Sequence, residues 1–92
     1  MLSAIVLINV ARGQVNETAQ RLLEINGVSD VYSVTGEYDL VALVRVTQYD
    51  DLSTVVTTHM QKISSIEKTH TLMAFKCFSR ADLQQAWDIG IE

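Results

Sequence analysis

The stretch from Val28 to Val46 constrains the fold most. It reads Val28-Ser29-Asp30-Val31-Tyr32-Ser33-Val34, then Thr35-Gly36-Glu37-Tyr38-Asp39, then Leu40-Val41-Ala42-Leu43-Val44-Arg45-Val46. Two β-branched runs flank a short connection that contains glycine, the pattern of a hairpin. Gly36 permits a positive φ and a close backbone approach. The second arm is almost continuously apolar, as expected of a strand covered on both faces. Leu2 to Val10 is a second run of that kind, interrupted by Ser3 and Asn9.

Between and after these runs the period changes. Val15, Thr18, Ala19, Leu22 and Ile25 recur at helical spacing, with Glu17, Gln20, Arg21 and Glu24 opposite. Asn26-Gly27 follows, and Gly27 is expected at the left-handed position that ends a helix. Leu52, Val55, Val56, His59 and Ile63 define a second helical face, with Asp50 as its candidate N-cap and Lys62 near its far end. His59 falls within that apolar stripe and reads as a partly buried packing residue. Ile66 to Phe78 reads as a long strand, polar first and apolar later. Thr69 and Thr71 share one of its faces. A terminal helix is expected over 79–90, with Leu83, Ala86 and Trp87 on one side.

The order strand, helix, strand, strand, helix, strand is that of the ferredoxin-like α+β fold, a βαββαβ antiparallel sheet with both helices on one face. In that topology strands one and three are central. The two near-continuous apolar runs fall on those positions independently. Strand one is apolar on both faces, so the sheet face without helices is apolar too. A monomer would expose it, and the expected solution is a dimeric α+β barrel with two sheets face to face.

One domain, 1–92, with its core at 2–78, accounts for the length. The net charge of −4 argues against direct DNA binding through phosphates. The single cysteine, Cys77, allows no disulfide within the chain and fits a reducing, cytoplasmic location. No spacing suggests a metal site or a cofactor, and the apolar start is too short to span a membrane. Two function classes remain open. A small cofactor-independent, oxygenase-like enzyme would need a base, for which His59, His70 and Asp39 are the candidates, but their spacing signals no catalytic arrangement. A binding module would use the glycine turn, its acids and tyrosine, and the strand threonines to hold a small polar ligand.

Gly27-Val28, the run Val31-Tyr32-Ser33-Val34-Thr35-Gly36-Glu37-Tyr38-Asp39-Leu40, and Glu67-Lys68-Thr69-His70-Thr71 resemble the two motifs of the effector-binding RAM module of the Lrp/AsnC transcription regulators. The resemblance runs from Leu2 to about Phe78. It implies a non-enzymatic module that binds a free amino acid between dimers. The residues it nominates are Gly36, Glu37, Tyr38, Asp39, Thr69 and Thr71. It also implies dimers assembled into a higher, ring-like oligomer. Family regulators carry a helix-turn-helix domain before this module, whereas here Met1 opens onto the first strand. The expectation is therefore a module that senses an amino acid or joins a full-length Lrp/AsnC regulator to modulate it.

Overall fold

A computed structural model describes residues 2–78 and Arg80. Its elements are β1 (Leu2–Val10), α1 (Val15–Leu23), β2 (Val28–Ser33), β3 (Leu40–Val46), α2 (Tyr49–Ser53) and β4 (Ile66–Met73). Between α2 and β4 the chain continues as a π-helical segment, Thr54–His59, and a 3-10 turn, Met60–Lys62. The four strands form one antiparallel sheet in the order β2-β3-β1-β4. This is the expected ferredoxin-like arrangement, with the two apolar runs at its centre.

Register divides the strands into two faces. Val6 lies opposite Ala42 on one side and Thr71 on the other, and Ile8 lies opposite Leu40 and Thr69. Ala4, Val6, Ile8, Leu40, Ala42 and Val44 form a buried layer. Leu22 of α1 and Leu52, Val55, Met60 and Ile63 of the second helical stretch cover it. The intervening residues form the opposite face, since side chains alternate along a strand. There Ile5 pairs with Leu43 and Leu72, and Leu7 with Val41 and His70. Ile5, Leu72 and Tyr32 are exposed to 36%, 43% and 53%. Among the described residues no helix or strand covers this apolar face, and Ala74, Lys76 and Cys77 border it beside Ser3, Ile5 and Leu43.

Four local features differ from the sequence reading. First, His59 is exposed, and Met60 is buried in its place. The π-helical turn explains this, because its i→i+5 step carries Met60 beneath Val55. Thr54, Val55, Val56, Thr57 and Thr58 are five consecutive β-branched residues, which crowd an α-helical turn. Thr54 and Thr57 also donate their hydroxyls to the carbonyls of Asp50 and Ser53, at 3.0 and 2.6 Å, a bonding pattern that distorts helices.

Second, α2 starts at Tyr49, so Asp50 lies in its first turn and Gln48 takes the cap position without a side-chain bond. Third, α1 ends at Leu23 and Gly27 comes later, in the turn into β2, with φ +107°. Fourth, β4 ends at Met73 rather than Phe78. Its partner β1 begins at Leu2, and the Ala74 amide donating to the Ser3 carbonyl is the last link available. Phe75 and Phe78 beyond it are exposed. The terminal helix expected over 79–90 lies outside the described residues.

Candidate functional site

The β2–β3 connection, residues 34–39, is fastened to the end of β1. The Val34 amide donates to the Asp39 carbonyl at 3.0 Å, closing the loop on itself. The Asp39 amide donates to the Ile8 carbonyl at 2.9 Å. The Asp39 carboxylate accepts from the Val10 amide at 2.9 Å, and the Asn9 side chain donates to the Glu37 carbonyl at 2.7 Å. The paired register of β3 with β1 stops at Leu40 opposite Ile8. The Asp39 carboxylate therefore occupies the acceptor position that another strand residue would have filled. Asp39 is a brace, the structural role open to short acids at turns.

Gly36 sits on this loop with φ +108°, and a Cβ built there would meet nothing within 4 Å. Its backbone faces open space. Glu37 is exposed, while Tyr38 and Asp39 are half-buried. Thr69 is half-buried and Thr71 exposed, both on the helix-side face of β4. Thr69 and Leu40 flank Ile8 from opposite sides, two strand spacings apart, or about 10 Å between backbones. The loop and the beginning of β4 thus meet at the same end of the sheet, separated by β1. Within one chain Gly36, Glu37, Tyr38 and Asp39 are contiguous on this loop. Thr69 and Thr71 stand across β1 from them.

Comparison with known proteins decides the family. The model for the Lrp/AsnC ligand binding domain matches residues 3–82. The chain belongs to the Lrp/AsnC ligand-binding domain family. It is 32% identical over 73 residues to the HTH-type transcriptional regulator FL11 of Pyrococcus furiosus, a match covering 79% of this chain and 48% of the regulator. It thus spans about half the length of that relative. A solved protein of Thermus thermophilus is 41% identical, with a TM-score of 0.81 over 87% of this chain and all of that one. A feast or famine regulatory protein from Mycobacterium tuberculosis, solved in complex with L-methionine, is 29% identical. Its TM-score is 0.73 over 86% of this chain and 53% of its own.

Within this Lrp/AsnC domain, the residues an enzyme would have drawn on are dispersed. Asp39 precedes β3 and is bonded to Val10. His59 belongs to the helical stretch beyond the other end of β3, and His70 is paired opposite Leu7 on the open sheet face. No group of three metal-ligating side chains occurs among the described residues. No helix among them is long and apolar enough to cross a membrane. Asn9 is the contributor that sequence reasoning passed over. Its signal was present as a polar break near the end of an otherwise apolar strand.

Proposed function

We propose that this domain binds a free amino acid at the end of the sheet formed by residues 34–39 and the start of β4. The observation carrying the reading is the fastened loop that holds Gly36 with its backbone open to solvent. Backbone N–H groups there can receive a carboxylate without rearrangement. Tyr38 supplies a wall or a hydroxyl donor, and Glu37 an acceptor for the ammonium group. Asp39 acts by fixing the loop. Thr69 and Thr71 come from the same chain or a neighbouring one. The related mycobacterial regulator solved with L-methionine supports an amino acid as the ligand class.

Assembly completes the proposal. The open face bearing Ile5, Leu7, Val41, Leu43 and Leu72 packs against the same face of a second copy. Such dimers associate further, so that a site can draw on two chains. The module acts as a non-enzymatic, cytoplasmic sensor, alone or in company with full-length regulators of its family. It does not itself bind DNA, given a net charge of −4.

The test is calorimetry on wild type and Thr71→Val with the tightest-binding amino acid, at matched oligomer mass. The substitution keeps the strand-forming shape and removes one hydroxyl. Loss of one hydrogen bond weakens binding by about 0.5–1.5 kcal/mol, and by more where a charged group is left unpaired. Unchanged affinity removes Thr71 from the site.

A further inference from the structure

The tip of β1 carries hydrogen bonds in two directions. The Val10 amide donates to the Asp39 carboxylate, on the side of β3. The next amide, that of Ala11, donates to the Ser65 carbonyl at 2.8 Å, on the side of β4. The glycine loop and the start of β4 therefore hang on adjacent residues. Ser65 has a second tie. Its hydroxyl shares a hydrogen bond of 2.5 Å with the hydroxyl of Thr18 on α1. We propose, resting on the amino-acid reading above, that the Thr18–Ser65 pair positions that site: it anchors the start of β4 and so holds Thr69 and Thr71 against the glycine loop.

The pair stands where the sheet alone holds β4 least firmly. As an edge strand β4 is bonded only to β1. Lys68 lies opposite Asn9 and Ile66 opposite Val10, which leaves Glu67 as an extra residue in a bulge. A bulge interrupts the ladder and re-aims the side chains around it. Thr69 follows directly on this irregular stretch, so its placement needs an anchor other than strand pairing. Thr18 supplies one from the helix layer. Among the described residues it is the only buried residue with a polar side chain, fully enclosed beside Ala19 and Leu22. Burying a hydroxyl is costly unless it is paired, and valine would fill the same space with no such cost. The partner that offsets the cost is Ser65. The loop half of the site is fixed separately, by Asp39 on the Val10 amide and Asn9 on the Glu37 carbonyl. Losing the Thr18–Ser65 bond should therefore loosen β4 and leave residues 34–39 in place.

The test combines amide hydrogen exchange with calorimetry on the full chain and on Ser65→Ala, Thr18→Val and Thr18→Ser. Thr18→Val keeps the shape and removes the hydroxyl, whereas Thr18→Ser keeps the hydroxyl. In Ser65→Ala and Thr18→Val, exchange over 66–71 should rise severalfold while exchange over 34–39 stays at the wild-type rate. Their affinity for the amino acid that wild type binds tightest among the common L-amino acids should fall about three- to tenfold. Thr18→Ser should match wild type in both measurements. Four results overturn the proposal: unchanged exchange over 66–71, an equal rise over both segments, unchanged affinity, or a Thr18→Ser variant as impaired as Thr18→Val. A wild type that binds none of the amino acids instead refutes the reading on which the proposal rests.

Discussion

Replacing Gly27 and Gly36 by alanine, one at a time, separates backbone strain from packing. The two glycines have nearly the same φ, +107° and +108°. The conformational penalty of placing alanine there is therefore shared, at about 1–3 kcal/mol. Their surroundings differ. At Gly36 the new methyl enters open space, whereas at Gly27 it meets two valine methyl groups at 3.2 Å. Val46 and Val55 are both buried and cannot swing away. Overpacking of this kind costs about a further 1–3 kcal/mol. Gly27→Ala should thus be the more destabilising by at least about 1 kcal/mol. The assay is urea unfolding at one fixed chain concentration, because any self-association is linked to stability. A Gly36→Ala variant as unstable as Gly27→Ala, or more so, would refute the packing argument.

Other expectations follow from the same contacts. Asp39→Ala should cost about 1–3 kcal/mol in urea unfolding by stranding the Val10 amide, while Asp39→Asn, which keeps an acceptor, should cost less; a loss near zero in Asp39→Ala would show that the brace is unimportant. Leu43→Lys places a charge on the open sheet face without touching the core, and light scattering should show it reducing the oligomer towards the 10.3 kDa chain; an unchanged mass would move the interface elsewhere. The purified protein should show no salt-sensitive affinity for duplex DNA, and tight binding that weakens steeply with salt would overturn that expectation.

Much of the sheet was legible because burial writes itself into strands simply. A strand covered on both faces is apolar throughout, so Leu2–Val10 and Leu40–Val46 announced themselves as the central pair. The helical stretch from Tyr49 was less legible. Its spacing of Leu52, Val55, Val56 and His59 fits an ideal α-helix, and a single π-turn shifts the inward position by one residue. Five successive β-branched residues were the available clue. The length of β4 depended on where its partner β1 begins, which is a fact about pairing rather than about Phe75 or Phe78. At the site, Gly36 and its neighbours were found by motif. The role of Asp39 turned on the Val10 amide lying without a strand partner, which only the register of β1 and β3 reveals.

The most direct test of amino-acid sensing is a calorimetric titration of the purified protein with each of the common L-amino acids. Saturable binding of at least one, weakened in Thr71→Val at unchanged oligomer mass, is the result expected. No saturable heat from any of them at millimolar concentration, or a binding isotherm identical in Thr71→Val, would contradict a site built from the glycine loop and β4.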